Sequence, residues 1–279
     1  MVRNYITVNA LWGIQHIQDI VCKSDMACFP VMEDNRILGI LTMKDLVKTH
    51  PNRIAIDAMS GNFAYISERE SIWKAKEILD KKSIDMLLVK QNNEVVGVLT
   101  DQILNYELGK HVDLLTGLHK PDYIYYMAGK LLNSGNEISI VFFDVNDFGY
   151  INKEFGHAVG DRILQEFAAS LKANTPEETY LCRFGGDEFI LLTPYNALDC
   201  ESFVEKLLQA IRSHKFPQNV PFDVAAGIAG GRRRSTRKLD LFETLSNLIN
   251  IASLASTRAK KEKGNLIVEC CGFIDEVAI

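Results

Sequence analysis

The peptide Arg183-Phe184-Gly185-Gly186-Asp187-Glu188-Phe189 sets two adjacent carboxylates beside two glycines. Apolar runs flank it, Thr179–Cys182 and Ile190–Thr193, and both read as strands. The peptide therefore predicts a tight hairpin, with glycine supplying positive φ cheaply. A further carboxylate, Asp144, ends the apolar run Ile138–Phe143. Carboxylates at the ends of neighbouring strands are the donors that hold Mg²⁺ against phosphate groups. An isolated Gly-Gly-Asp-Glu would read as a solvated turn, since Asp and Gly are common turn residues. The rest of the chain decides between the two.

Apolar periodicity from Asp113 onward predicts the elements that must position these groups. They are helix Pro121–Asn133, strand Ile138–Asp144, helices Asp147–Phe155 and His157–Ala173, and the hairpin. Helix Asp199–His214, strand Val224–Ala229, helix Leu239–Lys263 and strand Leu266–Cys270 follow.

From about Asp113 to Glu269 these residues resemble the GGDEF family of diguanylate cyclases. Asp113-Leu114-Leu115-Thr116-Gly117-Leu118 resembles the family's opening motif, and Phe143-Asp144-Val145-Asn146-Asp147-Phe148 its metal-binding strand end. Asn152, Gly156-His157 and Gly160-Asp161 match its base-recognition segment, and Ala259-Lys260 its late phosphate-binding helix. Ordered matches of this kind carry far more weight than one motif.

The resemblance implies an α+β, palm-like domain over 108–279, with a central, mostly antiparallel sheet flanked by helices. It implies condensation of two GTP to cyclic di-GMP with release of pyrophosphate. Asp144, the Val145 carbonyl and Asp187 would hold Mg²⁺ or Mn²⁺. Asp187 is the implied general base, with Glu188 beside it. The Phe148–Gly149 backbone and Lys260 would meet phosphate, and His157 either frames the substrate or is a structural histidine. Asn152 and Asp161 would read guanine, whose N1–H and N2–H₂ suit a carboxylate; adenine would leave that carboxylate unpaired. Each domain holds one GTP, so a homodimer is expected.

Several positions depart from the family pattern. Gly149 stands where the family usually has lysine, and Gly264 where it usually has arginine. Ser253 and Thr257 stand where Asp and Tyr are frequent, and Lys263 is the residue that could substitute for the arginine with shifted geometry. Losing two phosphate cations makes a GTP-binding module without turnover the alternative reading. The ends of the product-inhibition motif fall at Pro176 and Thr179, which cannot perform that role, so feedback at that surface is not expected. The basic run Arg232–Lys238 reads as a solvated loop, with a sharper reading in which it supplies phosphate charge.

The first hundred residues contain an internal repeat, with Cys28–Thr42 laid over Met86–Thr100 at an offset of 58, Gly39 to Gly97. One copy is too small to bury its own apolar faces, so the two must pack together. The repeat resembles a tandem pair of CBS domains of βαββα type over 1–107, about 1–50 and 51–107. That family often binds adenine nucleotides. Its ribose-contact pattern appears as Gly39-Ile40-Leu41-Thr42-Met43-Lys44-Asp45, whereas the second copy has Ile103 at the acidic position. Thr42 and Asp45 therefore either hold a regulatory adenine nucleotide or merely cap a helix. Asp101–Asp113 reads as a stiff helical connector between the domains.

The chain's 279 residues suffice for two domains, and 47% hydrophobic residues for sizeable cores. A net charge of −5 points to neither nucleic acid nor a membrane surface as partner. No signal-type or bilayer-length apolar segment is read, so a cytoplasmic location is expected. The six cysteines lack paired zinc spacing and read as buried reduced thiols.

Overall fold

The computed structural model describes residues 1–22, 26–232, 240–262 and 264–273, apart from the side chains of 219, 232, 270, 271 and 273. The chain divides into two compact units, Met1–Lys110 and His111–Ile279.

In the first unit, β1 (Val8–Asn9), α1 (Ile14–Val21), β2 (Cys28–Glu33), β3 (Arg36–Thr42) and α2 (Met43–Lys48) form the first copy of the repeat. After the short α3 (Ala55–Ala58), the second copy comprises β4 (Ala64–Ser67), α4 (Ile72–Lys82), β5 (Met86–Gln91), β6 (Glu94–Thr100) and α5 (Asp101–Gly109). Each copy is a three-stranded sheet with one parallel and one antiparallel pair. The hairpin registers repeat, Val31 facing Gly39 and Val89 facing Gly97, each followed by a bulge. Asp34-Asn35 and Asn92-Asn93 make the two-residue turns at positive φ, where Asx residues are best tolerated.

The copies also trade their lead-in residues. Val2 pairs with Val98 of the second sheet, and Ser60 with Ile40 of the first. Gly39 and Gly97 permit these approaches, since a Cβ there would lie 2.6 and 2.7 Å from the carbonyl oxygens of Ser60 and Val2. Neither copy completes its sheet surface alone. The helix expected over Asp101–Asp113 stops at Gly109, and Val112 instead bridges to His119.

The second unit contains α6 (Pro121–Asn133), β7 (Ile138–Val145), α7 (Phe148–Phe155), α8 (His157–Asn174), β8 (Tyr180–Gly185) and β9 (Glu188–Thr193). α9 (Ala197–Ser213), β10 (Val224–Arg232), α10 (Leu241–Lys261) and β11 (Leu266–Phe273) complete it. The sheet runs β11-β10-β7-β9-β8 and is antiparallel except for β10–β11. Beyond the backbone of Arg232, the basic run Arg232–Lys238 lies outside the described residues, as do Leu239 and Lys263.

β7 is buried on both faces, which is why it reads as an unbroken apolar run. Val141, Phe143 and Val145 join the core beneath α8 and α9 with Ile163, Phe167 and Val204. Ile138, Ile140 and Phe142 pack on the other side with Ile124 of α6 and Leu248 and Ala252 of α10. Strand parity places Asp144 on this second face, beneath α10. There, α10 presses directly on β10. A Cβ on Gly227 would lie 2.0 Å from the Ala252 carbonyl oxygen and 2.3 Å from the Ser256 nitrogen. Because both contacts are backbone, a side chain at 227 must lift the helix. Gly227→Ala is expected to destabilise the unit by about 1–3 kcal/mol, read as a lower urea midpoint at unchanged slope.

Cys28, Cys182 and Cys200 are buried free thiols. Burial pushes the Cys28 thiol up to about 11. Cys22 differs from the expectation, since it is exposed at the end of α1.

Candidate active site

The β8–β9 hairpin delivers two carboxylates next to Asp144. Its strands run closer to the tip than expected, leaving only Gly186-Asp187 as the turn. The reason is the neighbouring strand: Glu188 stands opposite Asp144 in the ladder, so the sheet continues to that point. Contrary to the expectation of left-handed glycines, neither Gly185 nor Gly186 has positive φ. A bulge between Arg183 and Gly185 bends β8 just before the turn. A Cβ on Gly186 would meet nothing within 4 Å, so the backbone at the tip stays open to a ligand.

Arg183 holds this tip. Its Nε and Nη2 donate to the Gly186 carbonyl at 3.0 and 2.6 Å, and its Nη1 donates to both carboxylate oxygens of Asp113 at 3.1 Å. Asp113 in turn accepts from the Thr116 amide and hydroxyl at 2.8 and 2.6 Å. Burial acts to raise the Asp113 pKa, but the Thr116 hydrogen bonds and the Arg183 charge outweigh it and hold the carboxyl below its ordinary value. A depressed carboxyl stabilises the fold above its unfolded pKa and loses that contribution as pH falls through the folded one. Arg183→Met should therefore lower the urea midpoint at pH 7, with a gap that closes upon acidification below about 3.9.

Asp144 and Val145 converge on one cationic atom. Lys260 Nζ, on α10, donates to Asp144 Oδ1 at 2.7 Å and to the Val145 carbonyl at 3.3 Å. The Val145 carbonyl is aimed through its own peptide unit. The Asn146 amide donates to the Asp223 carbonyl at 2.9 Å, and in a trans peptide C=O and N–H point oppositely. The Val145 amide donates to the Asp187 carbonyl at 3.3 Å, tying the strand end to the turn. Asn146 Nδ2 also donates to Asp223 Oδ2 at 2.9 Å, and Asn265 Nδ2 to Asp223 Oδ1 at 3.3 Å. Sequence reasoning missed Asn146 and Asp223; the polar Asn146 inside the apolar strand-end motif was the available signal.

The three carboxylates are electrostatically crowded. Burial, then the Asp144 charge, raises Asp187, with Lys260 and Arg183 opposing. Glu188 is raised by burial, then by Asp144 and Asp187. Such a cluster calls for a cation, and an oxygen set that already gathers an ammonium suits a hard divalent ion. Among the described residues no group of three or more His, Cys, Asp or Glu side chains gathers to hold a metal. The donor set read from the sequence is two carboxylates and a carbonyl.

The residues expected to meet the base and phosphates lie on the helix pair that follows. Phe148 and Gly149 open α7, where the first amides have no intrahelical partner. Gly156, at φ 86, ends α7 and begins α8, with His157 exposed as the first residue of α8. Asp161 is exposed one turn further on. Gly160 is buried against α7, where its Cβ would lie 2.0 Å from Asn152 Oδ1 and 3.2 Å from Phe148 Cζ. Gly160→Ala should therefore rotate the Asn152 amide away. The expected result is a GTP affinity lowered by about 1–3 kcal/mol, the cost of an unmet polar contact, with ATP affinity unaffected. Equal losses for both nucleotides would count against a base-reading role. At the site of the missing feedback motif, Thr179 Oγ1 donates to the Pro176 carbonyl at 2.7 Å.

In the first unit, Thr42 caps α2. Its hydroxyl accepts from the Asp45 amide, and Asp45 Oδ2 accepts from the Thr42 amide at 2.9 Å and hydroxyl at 2.6 Å. Both residues therefore cap the helix, a role compatible with either reading. Thr42 also lines a cavity of about 270 Å³ with Cys28, Lys44, Asp85, Thr100 and Gln102, drawn from both copies.

A family model described as "Diguanylate cyclase, GGDEF domain" matches residues 110–266, more than half of the chain. The chain belongs to the GGDEF family. Members use a divalent metal and bind GTP. CBS-domain models match 1–51 and 54–108, so this GGDEF protein carries a tandem CBS pair ahead of its cyclase-family domain. The response regulator PleD of Caulobacter vibrioides is 35% identical over 119 residues, covering 41% of this chain and 25% of PleD. The diguanylate cyclase DgcP of Pseudomonas aeruginosa is 32% identical over 83 residues, covering 29% of this chain and 12% of DgcP. The chain thus spans a quarter or less of the length of these two relatives.

Two solved structures share the fold. The diguanylate cyclase SiaD of Pseudomonas aeruginosa, in complex with its activator SiaC, has a TM-score of 0.52 at 22% identity, covering 61% of this chain and 65% of that one. The coiled coil and GGDEF domain of DgcB from Caulobacter crescentus, in complex with c-di-GMP, also has a TM-score of 0.52, at 17% identity, covering 61% and 91%. Among the described residues no helix is long and apolar enough to cross a membrane.

Proposed function

We propose that the second unit is a diguanylate cyclase that condenses two GTP into cyclic di-GMP across a homodimer. The observation that carries this reading is the convergence of Asp144, the Val145 carbonyl and the Asp187–Glu188 tip at the end of one sheet, beside the Asn152–Asp161 helix pair.

Asp144, Val145 and Asp187 would hold Mg²⁺ or Mn²⁺. When bound, the ion neutralises triphosphate charge and lowers the pKa of the attacking 3′-hydroxyl. Asp187 takes the proton of that hydroxyl as the general base. The 3′-oxygen bonds to the α-phosphorus of the facing GTP as the bond to the β-phosphate oxygen breaks, and pyrophosphate leaves. Asn152 and Asp161 select guanine, with His157 framing the nucleotide. The Phe148 and Gly149 amides and Lys260 receive phosphate. The adenine nucleotide belongs at Thr42 and Asp45 in the CBS pair, where it changes turnover through differential affinity for two arrangements of the dimer.

The test is incubation of the full chain with GTP and Mg²⁺, with and without ATP or AMP, followed by chromatographic separation. Cyclic di-GMP that vanishes with chelator supports the cyclase, and a rate altered by ATP or AMP supports CBS control. GTP binding without product moves the protein to the second reading, a nucleotide-occupancy sensor. That reading is favoured by glycine itself at 149 and 264, where the family usually has lysine and arginine.

A further inference from the structure

We propose that Lys260 is a built-in competitor for the metal, so that the site takes its ion together with a nucleotide rather than alone. The inference rests on the reading of Asp144 and Val145 as metal ligands. Lys260 Nζ bonds to the side-chain oxygen of the first and the carbonyl oxygen of the second, at 2.7 and 3.3 Å. A Mg²⁺ ion bonds oxygen at about 2.0–2.1 Å. An ammonium and a dication held by the same two atoms would sit within a few ångströms of one another, where repulsion is steep. One must leave for the other to bind.

The fold determines how Lys260 leaves. Its helix cannot retreat, because Ala252, Ala255, Ser256 and Ala259 are buried and α10 touches β10 at Gly227. The side chain can: four rotatable carbons carry Nζ, and about a third of it is exposed (34%), against 22% for Asp144. A departing ammonium needs another anion. A triphosphate supplies one, so nucleotide binding removes the competitor and frees the oxygens together. Metal and nucleotide then favour each other's binding, and linkage makes that favour reciprocal.

The test reads Mn²⁺ binding to the full chain by the loss of its free-ion paramagnetic signal, with no turnover needed. Lys260→Met and Lys260→Gln are each expected to tighten Mn²⁺ binding about tenfold or more without nucleotide. In the original chain, a GTP analogue with a methylene between the α- and β-phosphates should tighten Mn²⁺ binding. In both Lys260 variants that enhancement should shrink. Lys261→Met removes a neighbouring exposed charge and should leave Mn²⁺ binding unchanged, which separates occupancy of the oxygens from a general field. Asp144→Asn should abolish the tightening in a Lys260→Met background. Equal Mn²⁺ affinity in the original chain and both Lys260 variants, or equal tightening in Lys261→Met, overturns the competition while leaving the metal ligands standing. No Mn²⁺ binding by any variant, with or without the analogue, overturns both the competition and the ligand assignment.

Discussion

Gly149→Lys is expected to raise the rate of cyclic di-GMP formation by about 10²–10³-fold, the range associated with one transition-state charge donor. The position can take the residue. A Cβ at Gly149 meets nothing within 4 Å, and the residue is exposed in the first turn of α7. Replacing glycine within a helix gains about 0.5–1 kcal/mol. A cation near the helix N-terminus loses about 0.3–1 kcal/mol. Stability should therefore barely move, and the change should appear in turnover. Gly264 is equally open, so Gly264→Arg offers a second cation from beyond α10. If both side chains reach the same phosphate, the double variant will fall short of the product of the single gains. Initial rates from GTP decide the matter. A folded Gly149→Lys protein with an unchanged rate would show that no transferring phosphate passes this residue.

How far the site was legible follows from the range of each interaction. β7 and Asp144 near its end could be read because a strand covered on both faces must be apolar until it reaches the site. The hairpin residues were legible, yet its geometry was not. Glu188 belongs to the ladder because Asp144 faces it from another strand, and a bulge in β8 precedes the Gly186-Asp187 turn. The repeat was visible as matching residues, whereas the exchange of Val2 and Ser60 between the sheets appears only in the packed pair. Asn146 and Asp223 are 77 positions apart, and no local pattern links them. Helical composition carried the expected connector through Asp113, but Asp113 is needed by Thr116 and Arg183, so the helix stops at Gly109. The glycines at 160 and 227 were plain in the sequence, but their purpose lies in the Asn152 side chain and the α10 backbone that approach them.

Asp187→Asn is expected to abolish product while making the protein more stable at pH 7. The two effects come from one carboxylate. As the proposed base it contributes about 10²–10⁴-fold, and as a metal ligand it contributes further, so cyclic di-GMP should fall below detection. The backbone link survives, since the Val145 amide donates to the carbonyl of residue 187 and not to its side chain. The stability gain follows from the raised pKa, caused first by burial and then by Asp144. A carboxyl whose folded pKa exceeds its unfolded value opposes folding once it ionises. That penalty is complete above the folded pKa and disappears below the unfolded one, near 3.9. Asparagine cannot ionise and avoids it. Urea midpoints should therefore favour the variant at pH 7 and converge upon acidification below about 3.9, in step with lost product on the chromatogram. An Asp187→Asn protein that is less stable at pH 7 would mean that favourable partners outweigh burial at this carboxylate, and product formed at the original rate would remove it from the catalytic set.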